Sequence, residues 1–145
     1  MPVADRGAAK DAIFKVLSDA WTAASQTAPI LYQDQDREKP ATGPYLEAKI
    51  LHTDSKQVAI GDSGRKRICA YGKLTVAVYT PPGDGLSSSD LLSKIVQDAY
   101  EKKRNTSPDG VLFRKTSIVE DGIVGGYEKV RVITYFEYDR IVGMT

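Results

Sequence analysis

The stretch Leu74-Thr75-Val76-Ala77-Val78-Tyr79-Thr80-Pro81-Pro82-Gly83-Asp84-Gly85-Leu86-Ser87-Ser88-Ser89-Asp90-Leu91-Leu92 changes its period part-way along. Leu74, Val76 and Val78 fall on one side of an extended chain, with Lys73, Thr75 and Tyr79 on the other. That period of two marks a half-buried strand. Two prolines and two glycines then stop it. Beyond them Leu91, Leu92, Ile95, Val96 and Ala99 recur at helical spacing, and Tyr100 extends the apolar face. Ser87-Ser88-Ser89 supplies candidate N-caps, and Asp90 a carboxylate of the sign the helix dipole favours. Glu101-Lys102-Lys103-Arg104 closes this helix with cations.

Upstream, a helix is expected from about Asp5 to Ala24. Ala12, Ile13, Val16, Leu17, Ala20, Trp21 and Ala24 share one face. Pro29 is expected to end that element, because proline disfavours helix for the residue before it. Ile30-Leu31-Tyr32 is a short strand. Residues 34–44 form a polar loop. Tyr45 to His52 is extended, with Leu46, Ala48 and Ile50 pointing inward. Gln57-Val58-Ala59-Ile60 and Ile68-Cys69-Ala70-Tyr71 flank Gly61-Asp62-Ser63-Gly64, the signature of a hairpin with its tip near 61–64. Downstream, Val111–Glu120 and Tyr127–Asp139 read as two further strands, made antiparallel by Asp121-Gly122 between them. The expected fold is α+β: one domain over residues 1–145, with a mixed sheet of about five strands. Two helices pack on one face, and a hairpin arm projects over about 53–67. Leu17, Trp21, Leu74, Val76, Val78, Leu92, Ile95, Val96, Val130, Val132 and Phe136 should form the core.

The chain is 145 residues long, and 20 basic residues against 19 acidic give +1. Such a balance argues against a dedicated nucleic-acid binder, though not against a local basic patch. One cysteine, Cys69, excludes an intrachain disulfide framework, and one histidine, His52, excludes sites built from several histidines. No apolar run approaches a membrane span, and no signal peptide is expected at Met1-Pro2-Val3-Ala4-Asp5-Arg6. No G-x-S-x-G elbow accompanies His52 or Cys69, so they read as a surface histidine and a core thiol. Gly61-Asp62-Ser63-Gly64-Arg65-Lys66 lacks the spacing and the following helix of a phosphate loop. Asp34-Gln35-Asp36 lacks the glycine and distal glutamate of a calcium loop. No catalytic, cofactor-binding or metal-ligating residue is therefore assigned.

What remains is interaction. Arg65-Lys66-Arg67 lies beside a hairpin tip where no local rule requires cations, so it reads as a contact for a partner or a nucleic acid, or as a solubilising cluster. A two-stranded arm is marginal on its own, and its edges can pair with another chain. Lys56, Gly61, Asp62, Gly64, Arg65, Lys66 and Arg67 on the arm, with Asp34 and Asp36 on the polar loop, are the candidate contact residues.

Several strings, taken in order, resemble the tail terminator (tail completion) family of long-tailed bacteriophages. These are Asp11-Ala12-Ile13-Phe14 with Trp21, Gly43-Pro44-Tyr45-Leu46, the Gly61–Tyr71 hairpin and basic stretch, Val76 through Gly85, and Phe136-Glu137-Tyr138-Asp139. The resemblance covers nearly the whole chain. It implies a structural virion protein without catalysis or cofactor, assembled in the host cytoplasm. Such a protein forms a hexameric ring on the head-proximal end of the tail tube. The ring stops tube polymerisation and presents a surface to the head connector, while DNA only passes through its lumen. Expected partners are copies of itself, the tail tube protein and the head connector or completion protein, with no membrane. Alternatives are another head–tail joining or neck protein, and a small ligand-binding α+β domain. The latter would need a cleft with convergent polar groups. A nucleic-acid-binding module would rest on Arg65-Lys66-Arg67 alone.

Overall fold

The computed structural model describes residues 6–33, 43–60, 66–82, 85–105 and 110–142. Two helices, α1 (Arg6–Ala23) and α2 (Gly85–Glu101), accompany five strands: β1 (Ile30–Tyr32), β2 (Tyr45–Ile60), β3 (Lys66–Thr80), β4 (Val111–Val124) and β5 (Tyr127–Val142). The strands form one mixed sheet in the order β1-β2-β3-β5-β4, with β1 parallel to β2 and every other pair antiparallel. This is the α+β domain that the change of period announced.

Helix α1 stops before any proline acts on it. Ser25 takes a left-handed conformation (φ 56°), its N–H bonds to Thr22 O, and Gln26 N–H reaches back to Trp21 O. These two bonds are the Schellman arrangement, which satisfies the last carbonyls of a helix. Trp21, at the end of the buried face, donates its indole N–H to Ala28 O at 2.9 Å and so fastens the following turn. β1 is short because a side chain replaces its next residue. Gln33 N–H bonds to Ala48 O, and Gln33 Oε1 accepts from Ile50 N at 2.6 Å.

Helix α2 begins earlier than the serines indicated. Gly85 is its first residue, so Ser87 to Ser89 lie inside it and Asp90 lies beyond its first turn. Ser93 Oγ donates to Ser89 O within the helix. The cations Lys102, Lys103 and Arg104 fall in the turn just past Glu101, which Asn105 ends in a left-handed conformation (φ 60°). The β4–β5 turn also moved. Val124 pairs with Tyr127 across Gly125-Gly126, both with positive φ (58° and 82°). That is a two-residue hairpin turn of the type whose twist matches the strands. Asp121-Gly122, expected as the turn, sits inside β4 at a register shift between Glu120 and Gly122.

Both helices pack on one face of the sheet. Ile13 and Leu17 of α1 and Val96 and Tyr100 of α2 are fully buried against Leu46, Leu74, Val76, Val78, Val111, Phe113, Val132 and Phe136. Tyr100 donates its hydroxyl to Ile13 O at 2.8 Å, tying the helices together, and meets Phe113 edge-on at 5.5 Å. All the expected core residues are buried except Ile95, which is partly buried against the cluster. Phe14, absent from the sequence-derived face, is buried too, edge-on to Tyr32.

The hairpin is more than two-stranded. β2 and β3 pair out to Ile60↔Lys66, and β5 follows β3 on its other side from Glu128 out to Val142. Strand β5 therefore accompanies residues 66–72, and this end of the sheet has three strands.

Candidate interaction surfaces

The sheet's second face carries the polar chemistry of the molecule, and no described element covers it. Cross-strand register lays it out in rows: Tyr45, Tyr79 and Lys129; Glu47, Ala77, Arg131 and Val119; Lys49, Thr75, Ile133 and Ser117; Leu51, Lys73 and Tyr135; then Tyr71, Glu137 and Leu112. At one end the Tyr45 ring stacks on Tyr79 at 4.6 Å, Tyr127 meets Tyr45 edge-on at 5.4 Å, and Lys129 Nζ lies 5.5 Å from the Tyr79 ring centre. Tyr45 is 3% exposed although it faces away from the core. Burial, reinforced by Tyr79, pushes its hydroxyl up to about 12. Further along, Leu51 and Tyr135 stand 57% and 45% exposed in one row.

Three arginine–carboxylate pairs knit this face. Arg131 Nε and Nη2 donate to Asp121 Oδ2 and Oδ1 at 2.6 and 3.1 Å, the two-pronged geometry that suits a guanidinium. Hydrogen bonding to Asp121 raises the Arg131 pKa further. Arg114 donates Nε and Nη2 to Glu137 Oε1, and Arg67 donates Nε and Nη2 to Asp139 Oδ2. These partners come from β3, β4 and β5, so each pair bridges two strands.

The sequence-derived contact residues separate into three groups. Asp34, Asp36, Gly61, Asp62, Gly64 and Arg65 lie outside the described residues. Lys56 and Lys66 are placed by backbone alone, in register with Cys69 and with Ile60 and Val142. Arg67 is fully described, and its guanidinium is engaged by Asp139 of its own chain. Sequence reasoning passed over Asp139, Arg114, Asp121 and the tyrosine cluster. The available signal was the alternation of Lys129, Arg131 and Glu137 in β5, which marked an uncovered face but not its pairing.

His52 and Cys69 point to opposite faces of the sheet. His52 is in register with Gly72 on the helix side, with Nε2 2.6 Å from the Tyr138 hydroxyl and its ring edge-on to Phe136 at 5.7 Å. Burial lowers its pKa below 6.5, and Arg6 and Lys10 of α1 add to the shift. It is a half-buried member of an aromatic cluster rather than the surface histidine expected. Cys69 is buried but lies on the uncovered face, outside the main core, with Sγ 3.9 Å from Glu137 Oε2. Burial raises its thiol pKa, the opposite of what activates a nucleophile.

Among the described residues, the uncovered face of the sheet is paired internally by arginines and carboxylates from neighbouring strands. The sequence matches the phage tail terminator protein family over residues 8–123. The chain belongs to that family. It is a structural protein of a phage tail, as the strings around Trp21 and the Thr80–Gly85 junction implied. No curated protein matches it. Eight chains of known structure do, among them a protein without a functional name. Its TM-score is 0.57 at 20% identity, over 89% of this chain and 94% of the other. That likeness concerns the fold alone. No helix among the described residues is long and apolar enough to cross a membrane.

Proposed function

We propose that this tail terminator forms a ring, hexameric as in its family, on the head-proximal end of the tail tube. There it stops tube polymerisation and offers a surface to the head connector. Family membership across residues 8–123 carries this reading. The uncovered sheet face supports it, because exposed Leu51 and Tyr135 on a β-surface are what a subunit contact hides. A ring also needs two different surfaces per subunit. The β2–β3 end over residues 53–67, with Lys56, Gly61, Asp62, Gly64, Arg65, Lys66 and Arg67, is one proposed contact. The loop bearing Asp34 and Asp36 is another. The protein works without catalysis or cofactor, is assembled in the host cytoplasm, and touches DNA only in passage. Near-neutral net charge supports that last point, as does the engagement of Arg67, Arg114 and Arg131 by their own carboxylates, since gripping a duplex takes many uncommitted cations.

Native mass spectrometry of the purified protein, alone and with tail tubes, tests the ring. Six copies of the 15.8 kDa chain are expected. A monomer under both conditions contradicts the reading. Joining Gln57 to Ile68, which face each other across β2 and β3, through an Asn-Gly turn is expected to leave a folded monomer that no longer assembles. Rings formed at the wild-type concentration would remove the arm from the interface.

A further inference from the structure

Among the described residues, two stretches of sheet edge have no strand beside them. β1 covers β2 at Leu46 to Ala48, and Gln33 extends that cover to Ile50; from 51 to 60 no described strand follows. At the other end of the strand order, β4 has its first turn of edge met by Asn105, whose N–H bonds to Phe113 O, and no strand lies beyond. In an antiparallel ladder, alternate residues turn both backbone groups to the neighbour and those between turn them away. The Asn105 bond shows that Phe113 turns away from β5. Counting along the register gives Thr116, Ile118, Glu120 and Ile123 the same outward direction. The bond from Ile50 N–H to Gln33 fixes the count for β2, where it reaches His52, Gln57 and Ile60. The side chains of Ile118 and Ile123 stand 39% and 65% exposed beside those outward groups. An open edge with exposed apolar side chains is a template for another strand.

We infer that β4 of one copy, over 116–123, pairs antiparallel with β2 of the next copy, over 52–60. The inference rests on the ring proposed above and names the contact that closes it. Direction and place decide the occupant. β2 and β4 run in opposite directions at opposite ends of one sheet. A rotation that carries one copy onto the next therefore sets β4 beside the next β2 in antiparallel sense, without inverting the subunit. The same junction repeats at every step, which is the heterologous contact a ring requires. Closure then leaves neither edge open, whereas a strand from another protein would satisfy one edge and leave the other. The two stretches also lie at opposite ends along the strands. Residues 116–123 run beside 128–134 of β5, and 52–60 lie, through 66–72 of β3, level with 136–142. Neighbours are thus staggered, as a closed sheet demands. Register shifts interrupt β4 at Phe113/Thr116 and Glu120/Gly122, and β2 at His52/Asp54 and Gln57/Ala59. Such bulges discourage indiscriminate pairing, and the regular runs 116–120 and 54–57 between them set the register.

Hydrogen exchange in the assembled full chain, read amide by amide, tests the pairing. Ile118 and Glu120 should exchange at least about tenfold more slowly in the ring than in a monomeric variant, a difference of roughly 1.4 kcal/mol. Ser117 and Val119, whose N–H groups turn to β5, should keep their rates. Gln57→Pro supplies the monomer, because it removes an outward N–H of β2, where an edge tolerates proline. Ile118→Pro does the same on β4, and thermal melts establish that both variants are folded. Mixed in equal amounts, each variant keeps the edge that the other lacks, so native mass should show one-to-one dimers and nothing larger. Wild-type rings in which Ile118 and Glu120 exchange as fast as in the monomer overturn the inference and leave the ring standing. So do rings formed by either proline variant at the wild-type concentration, and a mixture that stays monomeric. Protection of β4 that arises only when tail tubes are added assigns the edge to a tube strand and overturns it too. A wild-type chain that stays monomeric with and without tubes removes the ring and the pairing together.

Discussion

Gly72 shows how one side chain too many would disturb the fold. A Cβ built there would lie 2.6 Å from the Leu51 carbonyl oxygen and 2.6 Å from Phe136 Cζ. The ring could shift, but the carbonyl belongs to the neighbouring strand and cannot. Glycine in mid-strand marks such a close approach. The space it leaves lets Phe136 reach across β3 to His52 and stack with Tyr138 at 6.2 Å. Gly72→Ala is expected to cost about 1–3 kcal/mol, read as a lowered denaturation midpoint. Unchanged stability would show that the β2–β3 spacing relaxes freely. His52 in the same cluster makes stability depend on pH. Its folded pKa is below its unfolded value, so below about 6.5 the unfolded chain takes up a proton that the folded chain refuses. Stability is therefore complete above that pH and falls as pH drops from 6.5 towards the folded pKa. His52→Gln is expected to flatten this slope in melts between about pH 7.5 and pH 5, where the carboxylates common to both proteins cancel. Parallel slopes in the two proteins would contradict it.

At the level of elements, helix α1 depends on Trp21. It is 5% exposed, packs in the main core and holds Ala28 through its indole N–H. Trp21→Ala is expected to cost about 3–5 kcal/mol, and a thermal melt unchanged within error would place the residue outside the core. Helix and strand identities were legible because both depend on apolar periodicity, which survives in any burial that presents one face. Boundaries were less so. The Schellman turn at Ser25 rests on a non-glycine residue taking a left-handed conformation, which no composition rule singles out. The serine run suggested an N-cap, yet α2 starts at Gly85. Asp121-Gly122 and Gly125-Gly126 were both good turn signals, and only the register of β4 against β5 decides between them. The losing pair became a bulge, which freed Asp121 to hold Arg131.

For the whole molecule, the two faces of the sheet divide the labour. One is closed by helices over an apolar core, and the other is left to arginine–carboxylate pairs, tyrosines and a row containing Leu51 and Tyr135. The sequence foretold the first face by alternation alone. The second was harder to read, because an Arg–Asp pair such as Arg67–Asp139 joins residues 72 apart in the chain. Such a pair shows only once register is known. The candidate contacts fared likewise. Charge and turn chemistry picked out Arg65-Lys66-Arg67, but whether a cation is committed at home depends on the strand beside it. Termination of the tail tube is the central claim, and electron microscopy of growing tubes tests it most directly. With purified protein added, tubes should stop at the length they had reached, each with ring-shaped density at one end. Tubes that keep lengthening, with bare ends, would contradict it.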